Sequence, residues 1–275
     1  MNTEEISKMR YSFKHNLLRN VLIRIDYTGI TNIDNWVESF QIKMMDYFSV
    51  YNRGIQNNAR VNLTSLEEIA NNLSIPIEEI RKETIHEFSS WKKDANDVTL
   101  SISPFFMTIN VRCKEYKNID IFLELTKVFL EKMYASNPFF DVHRIGIRKV
   151  NGKVFNTVDE ILNIYKKELF FGKEVDEKKS KPLQREYSYR YILKDSTIKV
   201  NYSRQYRLAK SFDGKEKHQV LLDIDTYVDK FNIDKCNYNL KDNCIEVLQT
   251  INNHQFEIFA ESVENDYLQN KVVPK

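Results

Sequence analysis

The chain has 275 residues, of which 42% are hydrophobic, 12% aromatic and 29% charged, with only 6 Gly and 5 Pro. Such a chain buries a substantial core, and its composition excludes disordered, collagen-like and low-complexity classes. Its 41 basic and 39 acidic side chains leave a formal net charge of +2, which excludes a global pull toward nucleic acid or membrane.

Residues 21–28 alternate, with Ile23, Ile25 and Tyr27 on one face and Leu22, Arg24 and Asp26 on the other, which predicts a half-buried strand. Gly29 ends it. Over residues 35–51, Trp36, Phe40, Met44, Tyr47 and Phe48 recur at helical spacing and predict a helix with one apolar face. Aromatic and Met stripes of this kind pack against sheets, so the stripe reads as core and not as a cofactor box.

Residues 66–82 carry the apolar spacing of a helix-turn-helix, with Ala70 at the crossing, Ser74 in the turn and Ile80 on the second helix. Glu78 and Glu79 would place carboxylates where phosphates and base edges lie, so a structural role outweighs DNA reading. Residues 98–102 and 106–111 flank Pro104 and predict two adjacent strands, residues 118–133 a helix, and residues 142–150 a further strand that stops at the Asn151-Gly152 turn signal. The order strand, helix, strand pair, helix, strand is the split βαβ pattern, a ferredoxin-like antiparallel sheet backed by helices.

The run from Gly172 to Pro182 is polar and densely charged, and reads as a linker. Beyond it, residues 187–193 and 197–207 predict a hairpin around Lys194-Asp195-Ser196, residues 219–227 a strand and residues 242–263 a helix. The expected fold is therefore α+β in two lobes, each an antiparallel sheet packed on long helices: an N-terminal lobe over 1–171, a charged linker over 172–185 and a C-terminal lobe over 186–275. The likeness of Val21-Leu-Ile-Arg-Ile-Asp26 to Val220-Leu-Leu-Asp-Ile-Asp225 raises the question of an internal duplication, although the order of elements differs between the lobes.

Charge is partitioned along the chain. Residues 144–215 contain 18 basic and 9 acidic side chains, a balance of +9, and the remainder carries −7. Within this segment Arg190, Arg204 and Arg207 interleave with Tyr189, Tyr191, Tyr202 and Tyr206, a pattern able to track phosphates and stack bases, or to cover a sheet face and pair with acidic neighbours.

Catalytic signatures are sparse. Neither GxGxxG nor the P-loop motif occurs, and His15, His86, His143, His218 and His254 form no HExxH or HxH pair. His143 beside Arg144, with Arg148 further on, is the one candidate general base near a phosphodiester, weighed against an ordinary boundary histidine. Asp223 and Asp225 share a strand face but lack further ligands at metal spacing. Cys113, Cys236 and Cys244 are an odd set without CxxC spacing, as expected of reduced thiols and not of a zinc site or disulfide scaffold. No stretch approaches the roughly 18 apolar residues of a membrane span, and Met1 to Arg10 lacks an apolar signal core, which points to the cytoplasm. No catalytic residue, cofactor or metal is assigned.

The stretch His143-Arg-Ile-Gly-Ile-Arg-Lys-Val-Asn151, with Leu22-Ile-Arg-Ile-Asp-Tyr27 and Leu221-Leu-Asp-Ile-Asp-Thr-Tyr227, resembles a family of sporadically distributed, uncharacterised two-lobed bacterial proteins. Their mid-chain strand reads approximately Arg-Ile-Gly-Leu-Arg-Tyr-Ile-Asn. Arg144, Gly146, Arg148 and Asn151 match, whereas Ile147 stands for Leu and Lys149-Val150 for Tyr-Ile. The resemblance spans about residues 11–261 and implies no activity; the family's patchy distribution implies mobile, phage-related or antiviral defence gene neighbourhoods. Strand alternation puts Arg144, Gly146 and Arg148 on one face, arranged either to clamp an anion or to form salt bridges between the lobes.

The sequence thus points to a non-enzymatic protein that binds a protein partner or itself as a homo-oligomer, without membrane association. A nucleic-acid-binding protein, or a metal-independent ribonuclease of ferredoxin-like fold, is the alternative. Candidate binding residues are Arg144, Arg148, Asn151, Tyr202, Arg204, Tyr206 and Arg207.

Overall fold

The alternating residues of β1 (Leu18–Tyr27) use both strand edges: Ile23 pairs with Ile109 on one side and with Ile147 on the other. A computed structural model describes residues 17–61, 77–114, 116–171, 183–194, 196–212, 214–229 and 240–270. After β1 come α1 (Ile33–Met44), β2 (Phe48–Val61), β3 (Ile77–Trp91), β4 (Asp97–Ile102), β5 (Phe106–Arg112) and α2 (Asp120–Ser136). The second half runs β6 (Val142–Phe155), α3 (Val158–Leu162), α4 (Lys167–Phe170), β7 (Gln184–Ile192), β8 (Lys199–Lys210), β9 (Glu216–Asp229), α5 (Leu240–Ser262) and α6 (Asn265–Asn270).

All nine strands of the described residues belong to one antiparallel sheet, ordered β2-β3-β4-β5-β1-β6-β9-β8-β7. This overturns the expectation of two lobes with separate sheets, and with it the ferredoxin-like first lobe. The physical reason lies at β6. Its free edge is satisfied by β9, the last strand of the second half, in an unbroken register from Arg144 opposite Asp229 to Phe155 opposite His218. An edge strand that finds such a partner does not end a lobe. The core crosses the expected boundary too: Ile198, Val228, Val247 and Leu248 cluster with Ile23, Ile145 and Phe129. Of the expected linker, residues 172–182 lie outside the described residues, and 184–185 already belong to β7.

Each half nevertheless repeats a plan. A central strand (β1, β6) leads through helix into a meander whose last strand (β5, β9) returns beside the first, followed by a long helix (α2, α5). The topological equivalents are β1 and β6, so the likeness between residues 21–26 and 220–225 joins two strands that do not correspond.

Helices cover one face only. Val21, Ile23, Ile25, Ile145 and Ile147 are fully buried beneath α1, α2 and α5, each such side chain contributing about 1.5–3 kcal/mol relative to exposure. Phe129 of α2 meets Tyr27, Trp36 and Phe40 at ring-centroid distances of 5.8, 5.4 and 6.2 Å. Gln255 of α5 donates to the backbone oxygens of Ile147 and Ile224, tying the helix across β6 and β9. No described helix is long and apolar enough to cross a membrane.

Several local expectations need correction. The predicted helix over 35–51 stops at Met44, and Phe48 opens β2. Residues 77–82, placed on the second helix of a helix-turn-helix, are strand β3 paired with β2, while 62–76 lie outside the described residues. Asn151-Gly152 is not a turn: β6 continues to Phe155, and Gly152 lets the Val220 carbonyl oxygen approach to 3.2 Å of where a Cβ would stand.

Candidate interaction surface on the open sheet face

The residues that alternate with the buried ones form the uncovered face. At its centre this face is an ion-pair lattice running across the strands. Arg148 clasps Asp223 with a fork, Nε to Oδ1 at 2.9 Å and NH2 to Oδ2 at 2.5 Å, which raises the guanidinium pKa further. Arg144 donates to Asp225 at 3.2 Å, lies 3.9 Å from Asp26 and covers the Tyr227 ring at 4.2 Å. Asp26 also accepts from Arg24 at 2.7 Å, Asp225 accepts from Asn201 at 3.0 Å, and Lys199 pairs with Asp229.

Gly146 explains how the lattice closes. Pairing opposite Tyr227 brings that side chain over the glycine, and a Cβ there would stand 2.6 Å from Tyr227 Cβ and 2.9 Å from the Thr226 oxygen. The space between the two arginines is therefore filled by an aromatic ring under a guanidinium and is not a groove. Asp223 and Asp225 share a face as the spacing predicted, and each serves as counterion to an arginine.

The candidate residues divide by strand parity. Arg144, Arg148 and Arg207 lie on the open face. Asn151, Tyr202 and Tyr206 are buried on the helix side, at 6%, 9% and 1% exposure. Tyr202 Oη lies 3.2 Å from Ser262 Oγ. Tyr206 Oη lies 2.8 Å from His218 Nδ1 with its ring edge-on to Phe171, and burial pushes its phenol pKa up. Neither ring presents a face to a base. Arg204 also points to the helix side, over Tyr187 at 4.7 Å and Tyr189 at 5.7 Å. Of the interleaved cations, Arg190 and Arg207 thus lie on the open face, while Arg204 shares the helix side with the tyrosines.

His143 and Arg148 are not brought together: His143 is the extra residue of a bulge, 3.3 Å from Thr28 Oγ1 and 3.8 Å from Asp141, while Arg148 is held by Asp223. A cluster that sequence reasoning missed joins α1, β2 and β3, where buried His86 lies between Tyr51 Oη at 2.8 Å and Asp34 at 3.0 Å, with Arg53 on the other Asp34 oxygen at 2.7 Å. Burial lowers the His86 pKa against the pull of Asp34. Among the described residues no group of three His, Cys, Asp or Glu is placed to hold a metal ion. Cys113 and Cys244 are free thiols; burial pushes Cys113 to about 12, far from a reactive thiolate, and Cys236 lies outside the described residues. A cavity of about 500 Å³ opens between α2 and α5, lined by Leu130, Tyr134, Ala135, Cys244 and Ile245, with Lys127 and Glu131 as its charged lining residues.

Much of this surface was hidden because Asp223, Asp225 and Asp229 lie outside the basic segment in sequence, yet adjoin Arg148, Arg144 and Lys199 in the sheet. The usable signal was the pair of matching patterns, Arg-x-Gly-x-Arg on one strand and Asp-x-Asp on another. No protein-family model, no curated protein and no solved structure matches the chain.

Proposed function

We propose that this chain is a non-enzymatic cytoplasmic interaction protein that presents the open face of its sheet to a protein partner. The observation that carries this reading is the neutralisation of Arg144, Arg148, Arg24 and Lys199 by carboxylates of the same face. A surface that tracks a phosphate backbone needs cations free to replace condensed counterions. These cations are already engaged, and the half-exposed Leu22 sits among them, giving the mixed polarity of a protein contact.

Nucleic-acid binding has a narrower basis, at the end of the β8–β9 hairpin. Arg207 and Lys210 make no ion pair with a described residue, and Phe212 nearby is fully exposed. A link to antiviral defence or phage-related systems rests on the resemblance at Arg144 to Asn151 alone.

The test is affinity capture from the native host, with mass spectrometry of bound protein and sequencing of bound nucleic acid, for the wild-type chain and for Leu22→Lys. The reading expects a stoichiometric protein partner lost in the folded variant. Recovery of nucleic acid instead, unaffected by Leu22→Lys and lost in Arg207→Ala, would replace it with the narrower alternative.

A further inference from the structure

Strand β7 ends the sheet, and among the described residues nothing pairs with its outer edge. Two of the usual protections of such an edge are absent: its register with β8 runs from Gln184 to Ile192 without a bulge, and it contains no proline. Most of its side chains are exposed, including Tyr189 at 51% and Ile192 at 56%.

Alternation sorts these side chains. Glu186, Ser188 and Arg190 face the open side, and Tyr187, Tyr189 and Tyr191 the other. Glu186 accepts from Gln205 at 3.0 Å and Arg190 donates to Asn201 at 2.8 Å, yet neither forms an ion pair with a described residue. They differ in this from the arginines at the sheet centre.

We infer that β7 pairs antiparallel with β7 of a second copy about a two-fold axis at Ser188, joining two sheets into one. Ser188 is the midpoint of the strand, so this is the register that pairs its whole length. In it Glu186 stands opposite Arg190 of the other copy, and Arg190 opposite Glu186. On the helix side Tyr187 meets Tyr189 of the other copy, each beside the Arg204 guanidinium that already stacks on both rings. Shifting the axis by one residue, to Tyr187 or Tyr189, sets Glu186 and Arg190 opposite uncharged residues and leaves one end of the strand unpaired. A two-fold axis perpendicular to the sheet keeps open face with open face, so the dimer presents two partner-binding faces side by side. The inference rests on the chain's being a protein-binding scaffold but uses a different surface, so its failure leaves the open-face reading standing.

Sedimentation equilibrium of the full chain across the micromolar range tests it. The wild type is expected to form a dimer, and Arg190→Glu and Glu186→Arg, each placing like charges opposite, are expected to weaken it at least tenfold while circular dichroism stays unchanged. The double swap Glu186→Arg with Arg190→Glu is expected to restore it. Ser188→Cys tests the register, because paired Cα atoms at about 4.5–5.5 Å lie within disulfide reach, and it is expected to give a covalent dimer under mild oxidation where the wild type gives none. A wild-type monomer throughout, or a dimer indifferent to both single swaps and uncrosslinked by Ser188→Cys, would overturn the inference.

Discussion

The two faces of the sheet are built from the same strands by alternate residues, yet they are held by different physics. On β6, Ile145 and Ile147 pack beneath helices at zero exposure, whereas Arg144 and Arg148 one residue away lie in an ion-pair lattice open to water. The covered face draws its stability from apolar burial and close packing. The open face gains little stability from its charges, since exposed pairs contribute about 0–1 kcal/mol. What it gains is a fixed arrangement, with the Arg144 and Arg148 guanidinium groups each oriented by a carboxylate on the neighbouring strand. A surface of that kind is suited to recognition.

Mutations that strike one face or the other sharpen this contrast. The largest effect is expected at Phe129, whose ring meets Tyr27, Trp36 and Phe40: Phe129→Ala is expected to cost about 3–5 kcal/mol in denaturant unfolding. Gly146→Ala comes next, because its methyl must displace Tyr227 or the strand behind it; a loss of about 1–3 kcal/mol is expected, with a drop in melting temperature to match. Asp223→Ala, on the open face, is expected to cost about 0.2–1 kcal/mol, and the loss should shrink as salt is added. A large, salt-independent loss there would erase the distinction between the faces.

The smallest effect concerns pH and belongs to the covered face. Burial lowers the pKa of His86, so the unfolded chain binds a proton more readily than the folded one. Its contribution is complete above the unfolded value of about 6.5 and is lost as pH falls below it. Unfolding measured between pH 7 and 5 is expected to show this decline, and His86→Gln is expected to flatten it.

Sequence periodicity located most elements where one face is buried. Residues 98–102, 106–111 and 219–227 are strands as read, as are 187–193 apart from Leu193, and 118–133 and 242–263 are helical apart from Val263 and the two residues before α2, because apolar residues at period two or 3.6 record burial directly. The reading failed where that record is absent. The β2–β3 ribbon contains Asn52, Arg53 and Gly54 in place of an alternating stripe, and mutual pairing makes it a strand pair. Pairing between halves is equally silent in sequence: nothing in residues 142–155 announces that β9 will take their free edge, and so one sheet was read as two. The open-face residues Arg144 and Arg148 were found through their spacing around Gly146, but their counterions were not, since ion pairs between strands leave no periodicity.

The central claim is that Arg24, Arg144, Arg148 and Lys199 of the open face are engaged by carboxylates. Fluorescently labelled single-stranded RNA and DNA, titrated at physiological salt, measure that claim. The expected result is weak binding, no tighter than the roughly 10⁻⁴–10⁻⁶ M of nonspecific contacts. Sub-micromolar affinity that falls steeply with salt and is abolished by Arg144→Ala with Arg148→Ala, in a folded protein, would contradict it.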